Sequence, residues 1–204
     1  MKKLQAFVLV LLFSFISCGK SYKAGECENE EYVKFRNLIF KFPLRANKIN
    51  QFGKNHVEHG YRSAITDSLV TGTSVIWYYD INRRSKNNLK EENLLIDSLN
   101  VYGVTFNLYA DSDKNDQEII QELKQNYPGN FVFHDTFDAP HYDYSRGCLK
   151  IIMGRKSYSF SSKQARQFST RRSVSAPTVS FCYGLTDKQV ENYIRNSGNI
   201  YSAD

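Results

Sequence analysis

The chain has 204 residues, 41% of them hydrophobic, with a formal charge of +6. That length suits a single domain able to bury a core without disulfide support. The basic excess falls to +4 without Lys2 and Lys3, too small to imply nucleic acid by itself.

The N-terminus has three zones. Lys2 and Lys3 give a positive start, an apolar stretch runs from Leu4 to Ile16, and Ser17 and Cys18 follow. This is the layout of a secretory signal peptide over residues 1–17. The stretch is too short for a membrane-spanning helix, which needs roughly 20 residues. Phe15-Ile16-Ser17-Cys18 resembles the lipobox of bacterial lipoproteins, with Phe15 in place of the usual leucine. The resemblance implies cleavage before Cys18, a diacylglyceryl group on its sulfur and an amide-linked acyl chain such as palmitate. Each buried methylene contributes about 0.8 kcal/mol, so two or more chains anchor stably. The expected address is the cell envelope, on a periplasm-facing or outer membrane, with the bilayer as partner through Cys18 and no nucleic acid. Residues 18–31 are polar and small and read as a lipidated tether. The domain is then 32–204.

Tyr32 to Phe42 is aromatic and β-branched and reads as one or two strands, stopped by Pro43. Residues 44–72 show no period and read as loop. Ser74 to Tyr79 is a short apolar run, as in a buried strand. Leu89, Leu94, Leu95, Ile96 and Leu99 predict an amphipathic helix over 88–99. Val104, Phe106 and Leu108 alternate with polar residues, a strand signal. Asp113 and Asp116 open a helix whose apolar face is Ile119, Ile120, Leu123 and Tyr127, ended by Pro128 and Gly129. Phe131 to Phe133 is a further strand. The alternation suggests β-α-β units and a parallel sheet. Leu149 to Ile152 and Tyr158 to Phe160 flank Gly154 and predict a β-hairpin. A Ser/Arg-rich loop over 161–175 leads to a strand at 178–183. Thr186 and Gln189 form a capping box for a last helix, closed near Gly198.

Over roughly 70–197 this order resembles membrane-tethered thioredoxin-like domains. The pieces that carry the resemblance are Val75 to Tyr79, the junction after them, and Ala176-Pro177-Thr178-Val179. It implies an α/β three-layer sandwich with a central mixed sheet plus an extra hairpin. Pro177 would stand where the family has a cis proline facing the active site, or be a trans proline at a strand entrance. The family's Cys-x-x-Cys pair would fall at Asn82 and Ser85, neither of which is a thiol. The implied role is therefore non-catalytic binding or assembly, with no cofactor. A divergent oxidoreductase using Cys148 and Cys182 is the enzymatic alternative.

Cys27, Cys148 and Cys182 are an odd number for an oxidising compartment. Cys148 with Cys182 is the preferred disulfide, and three reduced cysteines the alternative. His134, Asp138 and His141, with Asp135 and Asp143, are a weak metal constellation in a presumed loop. Between Tyr144 and Thr186 there is no acid, while Arg146, Lys150, Arg155, Lys156, Lys163, Arg166, Arg171 and Arg172 occur. Arg155, Lys156, Lys163, Arg166, Arg171 and Arg172 are the candidate anion-binding set, for an anionic envelope component or a protein partner. The other reading is a solvated hairpin balanced by acids elsewhere. A third functional reading is an unrelated α/β lipoprotein that docks an anionic partner through this basic hairpin.

Overall fold

A computed structural model of the chain describes residues 27, 29–52, 55–57, 64–66, 73–79, 100–136, 140–162, 166 and 173–195, with backbone alone at 55–57 and 64–66. Cys18, Asn82, Ser85, Asp138, Lys163, Arg171 and Arg172 lie outside these residues, as does the helix expected over 88–99.

Among the described residues the architecture is mixed α/β: a large antiparallel sheet, a small hairpin and two helices given in full, whose ranges follow. β1 (Glu31–Phe35) and β2 (Leu38–Phe42) form the hairpin. The short β3 (Leu44–Arg45) leads into a 3-10 segment, Ala46–Phe52. β4 (Asn55–Val57) and β5 (Ala64–Thr66) precede the long central strands β6 (Thr73–Tyr79) and β7 (Asn100–Leu108). After a 3-10 turn at Tyr109–Asp111 come α1 (Asp116–Lys124), β8 (Val132–His134), β9 (His141–Arg146) and β10 (Leu149–Ser159). β11 (Ser173–Tyr183) and α2 (Asp187–Arg195) complete the order. The sheet runs β4-β5-β6-β7-β11-β10-β9-β8, with β3 also on β7.

Every strand pair among the described residues is antiparallel. The parallel β-α-β order expected from the alternating elements is therefore corrected. The helix opened at Asp116 forms as α1, but it returns the chain to the far edge of the sheet, at β8, instead of crossing to a parallel neighbour. The hairpin expected around Gly154 is corrected as well. β10 passes straight through Gly154, and the turn lies at Gly147, between β9 and β10. Gly147 has φ of +56°, in the left-handed region that favours glycine, and a Cβ there would meet a Glu31 carboxylate oxygen at 2.7 Å.

Strand alternation gives the sheet two unlike faces. One carries Val75, Trp77, Val104, Phe106, Ile151, Met153, Val179 and Phe181, all essentially buried. The β1–β2 hairpin and α1 cover this face. Phe35 meets Phe106 edge-on at 5.0 Å, and Phe40 meets Trp77 at 5.1 Å. Ile119 and Leu123 of α1 belong to the same core, and Asn115 closes a reciprocal capping box with Glu118 at the helix start. Each large apolar side chain fully buried here contributes about 1.5–3 kcal/mol, so this layer dominates cohesion.

Cys27 and Cys148 form a disulfide. This corrects the expected Cys148–Cys182 link. Cys148 sits in the β9–β10 turn, whereas Cys182 lies inside β11, opposite Lys150, with its thiol buried on the other face. Cys27 and Asn29 are tied to β11: the Tyr183 hydroxyl donates to the carbonyls of Cys27 at 2.8 Å and Asn29 at 2.7 Å.

Candidate binding face

The second face of the sheet is where polar chemistry gathers. Residues in register across it are Ser74, Asn107, Thr178, Gly154, His141 and His134, strand by strand. The adjoining row is Ile76, Thr105, Ser180, Ile152 and Asp143. Ser74, Thr105, Asn107, Thr178 and Ser180 are all buried. Buried polar groups need partners, and here they find one another.

Two hydrogen-bonded groups result. Under α2, Thr105 shares hydrogen bonds with Ser180 at 2.7 Å and with the Tyr193 hydroxyl at 2.6 Å. Tyr193 also packs edge-on against Tyr78 at 5.2 Å, and Cys182 lies in the same cluster. At the other end of the face, Tyr158 donates to Asn107 Oδ1 at 2.8 Å, and Asn107 Nδ2 donates to Ser74 Oγ at 3.0 Å. The hydroxyls of Ser74 and Tyr109 are 2.9 Å apart. Tyr109, Tyr158 and Phe160 form an aromatic cluster with Val174 and Ala176.

Beyond these networks, β10 and β11 outrun their neighbours. β9 leaves β10 at Gly154, and β7 leaves β11 at Thr178. The remainder, Arg155 to Ser159 paired with Ser173 to Pro177, is a two-stranded arm. Pro177 sits at the first position of β11 past the β7 ladder, where one flank requires no donor. Its peptide bond is not cis; the cis bond among the described residues precedes Pro43. Ala176 is buried under the aromatic cluster.

The basic residues separate once the faces are known. Arg155 points away from the polar face and is tied inward. Its Nη1 donates to the Lys114 carbonyl and Asp116 Oδ1, and its Nη2 to the carbonyls of Ser112 and Ser175, at 2.7–3.0 Å. Arg146 pairs with Glu31, and Lys150 with Asp187. Arg166 is exposed and donates to the Ser162 carbonyl. Lys156 is part-buried and lies on the polar face two residues before Tyr158. No carboxylate among the described residues pairs with it, and burial alone lowers its pKa. Burial likewise pushes the Tyr158 hydroxyl and the Cys182 thiol far above their ordinary values, so neither ionises near neutrality.

The register brings His134, His141 and Asp143 to the β8–β9 edge. His134 Nε2 is 2.9 Å from Asp143 Oδ1, and the two imidazoles stack at 5.2 Å. No group of three or more His, Cys, Asp or Glu among the described residues is placed to hold a metal. No helix among them is long and apolar enough to cross a membrane.

Sequence reasoning missed Ser74, Asn107 and Tyr109 as parts of a site. The signal was present as small hydroxyl or amide residues two apart, at 105 and 107 and at 178 and 180. That spacing places them on one face of a strand. No protein-family model, no curated protein and no solved structure matches the chain.

Proposed function

We propose that this chain is a lipid-anchored cell-envelope protein whose domain binds a ligand or partner and does not exchange thiols. The lipobox-like Phe15-Ile16-Ser17-Cys18 supports the anchor. One observation carries the non-redox reading: Cys148 is joined to Cys27, and Cys182 is buried with its thiol held protonated. A thiol reacts as the thiolate and needs access, and Cys182 has neither. The rival oxidoreductase built on Cys148 and Cys182 would need those two sulfurs to meet. The thioredoxin-like likeness gains no support from a sheet whose described pairs are all antiparallel. The polar face and its aromatic arm are the chemistry left for binding.

The test is a thiol count on protein purified from its native membrane. The chain is unfolded without reductant and titrated with a thiol reagent, alongside its intact mass and an insulin-reduction assay. One thiol, Cys182, with a mass increment for acyl chains at Cys18 and no insulin reduction, is the expected result. A second thiol at Cys18 would overturn the anchor. Turnover of insulin disulfides would overturn the binding role.

A further inference from the structure

Lys156 lies part-buried on the polar face beside an aromatic cluster; Lys124 is the other part-buried lysine among the described residues with no carboxylate pair, but it lies on α1, away from that cluster. Arg36, Lys41, Lys114, Arg146, Lys150 and Arg155 all pair with carboxylates. Lys156 is part-buried yet makes no such pair among the described residues. Removing an ammonium from water without a counter-charge is costly, so an anion arriving from solution would gain by pairing with it. The surroundings define that charge's carrier. Lys156, Tyr158 and Phe160 alternate along one side of β10 and its exit, at steps of about 7 Å. The Tyr158 and Phe160 rings lie parallel, 6.0 Å apart, and both abut Tyr109 edge-on. Both rings are part-exposed, while Tyr109, Val174 and Ala176 beneath them are buried. The Tyr158 hydroxyl is bound to Asn107, which fixes the ring in place.

We propose that Lys156 and the rings of Tyr158 and Phe160 form a binding site for a small organic anion that carries an apolar ring. The carboxylate meets the Lys156 ammonium, and the ring lies along Tyr158 and Phe160. The inference names the ligand class for the binding role above and rests on that role. It differs from a general basic surface, since Arg155 beside it faces the other way and is fully engaged. It also makes the arm, not the sheet edge or the disulfide end, the part that meets ligand.

Calorimetric titration of the full chain with phenylacetate, acetate and benzyl alcohol tests it. Phenylacetate is expected to bind saturably, one per chain, about tenfold or more tightly than acetate or benzyl alcohol. Lys156→Met should weaken phenylacetate about tenfold or more, and Lys156→Arg less. Phe160→Ala should also weaken it while leaving acetate unchanged. Circular dichroism checks that each variant folds; methionine at 156 removes charge from a part-buried position and is expected to fold. Absence of saturable phenylacetate binding, or binding that Lys156→Met leaves unchanged, overturns the site. Acetate binding as tightly as phenylacetate overturns the role of the rings. The thiol count is unaffected by any of these results, so failure here is distinguishable from failure of the anchored, non-redox reading.

Discussion

Arg155 leaves β10 on the face opposite Lys156 and reaches the turn before α1. One guanidinium fork satisfies three carbonyls and a carboxylate, tying the β10–β11 arm to the segment leading into α1. A planar fork suits that task, and an ammonium does not. Arg155→Ala is expected to cost about 1–3 kcal/mol, discounted for partial solvent access, and Arg155→Lys to recover little of it. Urea midpoints would measure both. Asp111 is the second instructive residue. Burial alone would raise its pKa, but hydrogen bonds and charge from Lys114 and Arg36 overcome that and hold it below its ordinary 3.8. Its folded pKa is thus depressed, so its contribution to stability is complete above the unfolded value. That contribution is lost as pH falls through the folded one. Asp111→Asn should therefore flatten the fall in stability below about pH 4 and lower stability at neutral pH, as followed by thermal melts across pH.

At the scale of elements, α2 depends on a close approach. A Cβ at Gly103 would come within 2.7 Å of Tyr193 Cε2, so the helix seats on β7 because position 103 has no side chain. Gly103→Ala is expected to destabilise by about 1–3 kcal/mol and to disturb the near-UV signal of Tyr78, Tyr102 and Tyr193. Gly103→Ala with Tyr193→Phe should not restore stability, since the clash is with a ring carbon. Some local elements were legible in the residues, while the stretch 44–72, read as loop, holds β3, the 3-10 segment, β4 and β5. The capping box at Thr186 and Gln189 forms as read, with Gln189 Oε1 accepting from the Thr186 amide at 2.9 Å. Ile119, Ile120 and Leu123 are the buried stripe of α1. β9 was not legible. Pro140 and the polar run His141 to Arg146 suggested loop, because alternation there sets Tyr142 and Tyr144 against His141 and Asp143, not apolar against polar. Strand direction was not legible either, since periodicity reports faces and says nothing about which neighbour a strand chooses.

At the scale of the molecule, the candidate site depends on long-range register. Asn107 and Tyr158 are 51 residues apart, and only the β7-β11-β10 order brings them within hydrogen-bonding distance. A reader of the sequence sees Lys156 inside a basic run; the sheet shows it on the opposite side from Arg155. The Cys27–Cys148 link works at this scale too, closing a sequence separation of 121 residues. Cross-linking so long a loop restricts the unfolded chain strongly, and Cys27→Ser is expected to cost about 2–5 kcal/mol. The loss should be matched by adding reductant to the parent protein, with Cys182 becoming titratable at a lower urea concentration in both.

The position of that link also bears on how it is made. On the export proposed above, with the chain threaded amino end first and Cys18 acylated, Cys27 would emerge early and stay single until residue 148 arrived. Cys148 would then leave the translocation channel 34 positions ahead of Cys182. Order of appearance would therefore favour the Cys27–Cys148 couple over the competing one, before β11 exists to hide the last thiol. Swapping the cysteines at 148 and 182 in time, by delaying release of the earlier segment, would be the way to make the chain err.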